Sequence, residues 1–284
     1  MRLQPSAMGY VVVLFTISSV VDSNPSPIYC QNARQDSLVA AHFARAVDLF
    51  NEHDDTGESM AEAKKEFAFV LKLNPRHAPA RAYQGLVALE NQQLDSAAAA
   101  FRDALDINPS CPEAHVGRAR LMRAKMQWSA SYDELRLAVR LAPESILARM
   151  ELVSVLLHRA EAPITSDCYK EAIPHLKKVI ELDSNARQAH LDLAESCEHL
   201  KLWREAIAHY QEVLRIGQTP EDMDVWVYEL HKTVAQCYEQ LGEYDHAVDS
   251  MNQYLANLRE LGADEETLKA TEQKISDLQN KVSR

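Results

Sequence analysis

Lys72-Leu73-Asn74-Pro75, Asp106-Ile107-Asn108-Pro109 and Arg140-Leu141-Ala142-Pro143 are three renderings of one phrase, and their prolines stand 34 residues apart. A proline lacks the N–H of a helical hydrogen bond and keeps the residue before it out of the α region, so each phrase ends a helix. Upstream of each, a large residue recurs in step at Phe67, Phe101, Leu135, Leu176, Tyr210 and Met251, with spacings of 34, 34, 41, 34 and 41. Four residues earlier stand Ala63, Ala97, Ser131, Ala172, Ala206 and Ala247; three residues later stand Val70, Ala104, Ala138, Val179, Val213 and Tyr254. Spacings of three and four share one helical face, so a single amphipathic helix recurs six times. A second helix precedes it in each unit. Its contact residue is small at Gly85, Ala119, Ala194 and Ala235, with Val153 in the fourth unit. A bulky side chain there would hold neighbouring helices apart.

A helix pair cannot bury its own apolar face, so a fixed period of two helices predicts stacked units. The expected fold is all-α, a right-handed solenoid of six antiparallel helix pairs over residues 37–261. The sequence resembles the tetratricopeptide repeat family, most closely in the second unit (Gly85, Ala97, Phe101, Ala104, Pro109) and the fifth (Leu193, Ala194, Ala206, Tyr210). It departs from the family where an aromatic opens the first helix, since Arg81, His115, Arg149, His190 and His231 stand there, and the last three units lack the closing proline. Ser59-x-x-Glu62 and Ser110-x-x-Glu113 read as capping boxes, and Thr219-Pro220-Glu221-Asp222 as a cap, a first-turn proline and acids in order. The seven extra residues of each longer step fall near 158–168, around Pro163, and near 217–224, where they predict a helix lengthened by two turns. Residues 262–284, amphipathic through Leu268, Ile275 and Leu278, read as a helix capping the open end.

The first residues differ from the rest. Met8 to Val21 is an uncharged apolar run behind Arg2, too short for a comfortable membrane span and of the right length for a secretory core, with small residues near Ser23. Residues 1–23 are expected to be a signal peptide, with an uncleaved anchor as the alternative, and 24–36 a flexible linker. This places the protein in an exported setting (periplasm, secretory lumen or medium), against the alternative of the cytoplasm. The five cysteines, Cys30, Cys111, Cys168, Cys197 and Cys237, form no disulfide framework or CxxC site. Cys197 and Cys237 read as core fillers, Cys111 and Cys168 as turn residues. With 42 acidic and 30 basic residues the net charge is −12, which repels phosphate backbones, so nucleic acid is not expected as a partner.

Stacked units curve, and the first helices line a concave groove, the default surface for a protein or peptide partner. Residues that the repeat phase leaves unused for packing are Tyr83, Leu86 and Glu90, then Arg120 and Arg123, then Glu151 and His158. Asp192, Glu195, Glu198, His199, Lys232, Gln236 and Glu239 follow. The groove therefore runs from apolar and basic to acidic, suited to an extended segment or helix with an acidic stretch and a basic one. The bland alternative is the solvated face of amphipathic helices. Family members that clamp acidic chaperone tails resemble one another in a Lys/Asn, Asn, Lys/Arg pattern on successive inner faces. Here the matching triplets are Ala82 and Leu86, Gly117, Leu147 and Glu151, or Val116 and Arg120, Glu151, Gln188 and Asp192. The resemblance thus implies a binding scaffold without that clamp, with a cytoplasmic co-chaperone or assembly adaptor as the alternative. Trp128 and Trp203 are expected to plug hairpin turns, and Trp226 to cover the fifth unit or anchor a partner. Glu195, Glu198 and His199, with His158 nearby, form the strongest metal-like cluster, yet HExxH, nucleophile-elbow and phosphate-loop motifs are missing. No catalytic residue, cofactor or metal is expected.

Overall fold

The computed structural model describes residues 27–52, 57–157, 165–217 and 225–283, and their side chains except at 27–33 and 225–228. Among them run thirteen helices: α1 (Pro27–Asn51), α2 (Glu58–Leu73), α3 (Ala78–Glu90), α4 (Leu94–Ile107), α5 (Pro112–Ala124), α6 (Trp128–Leu141), α7 (Ile146–Leu157), α8 (Ser166–Leu182), α9 (Arg187–His199), α10 (Trp203–Ile216), α11 (Val225–Leu241), α12 (Tyr244–Glu260) and α13 (Glu265–Val282). They pack as consecutive pairs, α1 with α2 through α11 with α12, and α13 closes the stack against α12. The expected signal peptide lies outside the described residues. The expected linker is helix from Pro27 onward, because α1 continues ten residues ahead of the first unit; Gln35 Nε2 donates to the carbonyl of Leu73, tying this extension to the end of α2. The second insertion adds about one turn to α11 rather than two within the described residues.

The residues that carry the repeat are the ones the fold buries. Ala63, Ala97, Ser131, Ala172, Ala206 and Ala247 are fully covered, as are Phe67, Phe101, Leu176 and, almost completely, Leu135 and Tyr210. Ser131, the one polar member of the small series, donates its hydroxyl to the carbonyl of Ala119 at 2.9 Å, so its burial costs little. Phe101 lies between two glycines, Gly85 of its own unit and Gly117 of the next. A Cβ on either would meet its ring, at 2.5 Å and 2.0 Å. Cys111, Cys168, Cys197 and Cys237 are buried, and Cys168 lies inside α8 rather than in a turn. Burial pushes Cys111 and Cys237 up to about 12 and Cys197 to about 11, which removes thiolate at neutral pH.

The turns explain which sequence signals matter. Inside the pairs, Gln93 N–H reaches back to Ala88 O, Gln127 to Met122, Leu202 to Cys197 and Glu243 to Tyr238, six-residue closures at helix ends. Such a closure needs a left-handed residue just before the donor, and here it is Gln92 (φ 57°), Met126 (φ 61°), Lys201 (φ 60°) and Gly242 (φ 74°). A side chain in that conformation costs roughly 1–2 kcal/mol, and Met126 is half exposed, with little packing to lose. Met126→Gly is therefore expected to stabilise the protein by about 1 kcal/mol, read as a higher urea midpoint at unchanged slope. Between units, Asn74, Asn108 and Asp183 each accept an N–H two residues on through the side chain. This Asx turn persists in the fourth unit, where Ser184 replaces the proline.

The two expected capping boxes do not form. Gly57 stands at the cap of α2 and Ser59 donates to Glu52; Cys111 stands at the cap of α5, because Pro112 already occupies its first turn. Side-chain caps come instead from His77 Nδ1 to Ala80 N–H, Ser145 Oγ to Ala148 N–H and Asp264 to Thr267 N–H. Thr219 to Asp222 lie outside the described residues.

A polar contact bridges the two helices in four of the pairs, three of them through residues that stand where the family has an aromatic. His115 bonds both Glu134 (2.7 Å) and the carbonyl of Pro109 (3.0 Å), and Arg149 bonds the carbonyl of Pro143 (2.8 Å) and His175 Nδ1 (3.0 Å). His190 Nδ1 faces His209 Nδ1 at 3.1 Å, and His42 faces Glu66 at 2.5 Å. The partners Glu66, Glu134, His175 and His209 all precede the buried large residue of the second helix by one position.

Candidate functional site

Helix α3 touches α5, and α5 touches α7, so the first helices of successive units share one face. At its N-terminal end that face is filled by the chain itself. Tyr83 and Leu86, expected to line the groove, are 7% and 0% exposed. Tyr83 stacks on Phe67 at 5.0 Å and meets Phe50 and Phe43 of α1 edge-on at 5.3 and 5.8 Å, while Leu86 belongs to the same core. The aromatics of α1 close over the inner side of α3, a contact the repeat phase does not contain.

The next stretch is an ionic cluster. Arg120 donates to Glu151 at 2.7 Å through Nε and to Glu90 at 2.8 Å, and Arg123 donates to Glu151 at 3.0 Å and to Ser154 at 3.2 Å. Two arginines and two glutamates cancel, so the basic half of the expected polarity is neutralised by its neighbours. A cavity of about 390 Å³ opens over this cluster, floored by Leu89 and Ala124. His158 lies outside the described residues.

The following unit keeps its acidity. Asp192 is 3% exposed and accepts from Gln188 Nε2 at 2.7 Å; its burial takes it out of the groove-lining set. Glu195 and His199 are exposed, and His199 stacks on Tyr169 at 4.4 Å. Burial and the Glu195 charge hold the Tyr169 phenol up. Glu198 accepts the Tyr210 hydroxyl at 2.6 Å; burial and this carboxylate push the phenol far up. Among the described residues no three His, Cys, Asp or Glu side chains converge as metal ligands.

One unit on, Lys232 pairs with Glu229 at 3.2 Å and lies over the Tyr254 ring, Gln236 is exposed, and Glu239 is held by Lys274 (2.8 Å) and Lys281 (3.5 Å) of α13. Burial and Glu229 push the Tyr254 phenol up to about 12. Glu198, Gln236 and Glu239 meet Trp203 and Lys274 around a second cavity of about 380 Å³. Repeat phase names the two glutamates among the lining residues. It missed Trp203, expected only as a hairpin plug, and the lysines, whose i, i+7 spacing on an end helix was the available signal. Trp226 is in α11, with its side chain outside the described set.

The fold defines an α-solenoid whose first helices share a polar face with two open cavities. Sequence models of the tetratricopeptide repeat match residues 47–112, 84–146 and 185–260, together more than half of the chain, which therefore belongs to the tetratricopeptide repeat family. Among solved structures, it is similar to YrrB, a TPR protein described as having an unusual peptide-binding site, with TM-score 0.54 and 17% identity over 73% of this chain and 97% of that one. The Pseudomonas aeruginosa PilF structure gives TM-score 0.57 and 16% identity over 85% and 99%. Yeast Tom70 gives 0.53 and 20% over 78% and 45%. No curated protein matches the sequence.

Proposed function

We propose that the protein is a non-enzymatic interaction scaffold that holds an extended segment of a partner protein along the inner faces of α9 and α11, in an exported or membrane-associated assembly. The observation that carries this reading is the cavity between Glu198, Trp203, Gln236 and Glu239, where two carboxylates from adjacent units and an indole surround a space of about 380 Å³, ample for a long side chain. Lys274 and Lys281 of the chain's own α13 already rest on Glu239, so the site accepts an ammonium, and a partner's cation would share Glu239 with them or displace one. A basic residue of the partner fits there, by charge and by contact with the aromatic face. The acidic half of a partner, which unpaired arginines at 120 and 123 would have attracted, is not part of the proposal, since Glu90 and Glu151 occupy them. The family's binding role and the apolar N-terminal run support the scaffold and the exported setting respectively.

The test is affinity capture by the mature protein from the membrane and secretory fractions, compared with a Glu198→Gln, Glu239→Gln variant. Glutamine still accepts the Tyr210 hydroxyl, so the fold is retained. A partner held by wild type should be lost, or weakened at least about tenfold, in the variant; retention at full strength overturns the reading. Sequencing the N-terminus of the purified protein decides export: a start near residue 24 supports it, and an intact Met1 in a soluble fraction refutes it.

A further inference from the structure

The seam between α4 and α5 carries a further cavity, on the side of α5 turned away from Arg120 and Arg123. It encloses about 450 Å³ between Ala98, Leu105, Leu121 and Met122, with Arg102, Arg118 and Lys125 at the rim. The sign of this rim is unlike the molecule. Three cations stand against Asp106 in the lining, while the chain as a whole carries −12. Arg118 is drawn to Glu134 at 3.1 Å, whereas Arg102 and Lys125 are exposed and make no ion pair among the described residues. Arg118, Leu121, Met122 and Lys125 recur at three- and four-residue spacing, so one stripe of α5 alternates apolar floor with positive edge.

We propose that this seam docks an acidic amphipathic segment of a partner protein, an aliphatic or aromatic side chain seated on Leu105, Leu121 and Met122 with flanking carboxylates on Arg102 and Lys125. The chemistry follows from the lining. An apolar floor alone would take any greasy residue, but flanking cations select the one that carries acids on both sides, and in an otherwise acidic molecule they offer such a segment its landing point. The seam and the inner face lie on opposite sides of α5, so both can be occupied together and the solenoid joins two partners.

The probe is a fluorescein-labelled 12-residue peptide of three Glu-Leu-Leu-Glu blocks, titrated by anisotropy at low salt. Binding to the full chain should weaken at least about tenfold in Arg102→Glu, Lys125→Glu, two exposed positions whose change leaves helicity intact by circular dichroism. Glu239→Gln should leave it unchanged, which separates this seam from the inner face. A matched peptide with Ser in place of Leu should bind at least about tenfold more weakly if the floor is used. Equal binding of the two peptides, or of wild type and the double charge variant, overturns the proposal. So does concentration-dependent self-association abolished by the same substitutions, which would make a second copy the occupant.

Discussion

Gly117→Ala should destabilise the protein by roughly 3 kcal/mol, and Phe101→Leu in the same chain should restore part of that loss. A helical Gly-to-Ala change in isolation gains about 1 kcal/mol of propensity, so propensity alone predicts the opposite sign. Packing decides it. The new methyl would stand 2.0 Å from Cε1 of Phe101, whose ring is fully buried, and a methyl on Gly85 would stand 2.5 Å from the same atom. The same edge of the ring fills the space that a side chain at either glycine would take. Leucine at 101 removes the ring edge, so the double variant should be more stable than Gly117→Ala alone, although Phe101→Leu by itself costs stability through lost contacts. Urea titrations of the four proteins of this cycle provide the check. Additive losses would mean that the ring moves freely, and that two glycines per aromatic are not what sets the spacing between the second and third units.

That contact shows how much of the fold the sequence exposes. Phe101 and Gly85 are visible from the repeat, because periodicity reports residues that meet the same neighbour in every unit. Gly117 is not, since it touches the preceding unit and occurs once. The groove was read with the same bias. Phase puts Glu198 and Glu239 on the first helices of adjacent units, where both line one cavity, but it treats every unit as meeting identical neighbours, and the ends of a solenoid break that. At one end Phe43 and Phe50 of α1 cover Tyr83; at the other, lysines of α13 reach Glu239. Arg120 and Arg123 looked like free cations because their counter-ions lie 28 to 31 residues away, one unit to either side. The capping boxes failed for a local reason: Pro112, a stronger helix starter than Ser110 is a cap, fixes the first turn of α5.

Acidification from pH 7.5 to 5 should lower the melting temperature by several degrees, with the loss confined to the range below about 6.5. Four histidines drive it. Burial lowers His77, His175, His209 and His231 below their ordinary value. The neighbours modulate this: the Arg149 and Arg136 charges add to the lowering at His175 against Glu171, while His190 and Lys177 add to it at His209 against Glu205 and Glu212, and Glu113 opposes it at His77. A base whose pKa is lowered by folding is neutral in both states above 6.5, so stability there is complete. Below 6.5 the unfolded chain takes up protons that the folded chain declines, and stability falls until the folded groups titrate as well. Geometry gives the same sign, since His77 Nδ1 must accept from Ala80 N–H to cap α3, and His175 Nδ1 must accept from Arg149; a proton on either nitrogen breaks the bond. His77→Asn retains a capping acceptor without a titrating nitrogen, and His231→Gln removes a second buried base. The double variant should lose about half of the pH dependence between 7.5 and 5. A profile as steep as wild type would show that His77 and His231 do not carry the acid sensitivity, whereas a halved slope assigns it to buried bases that folding keeps neutral.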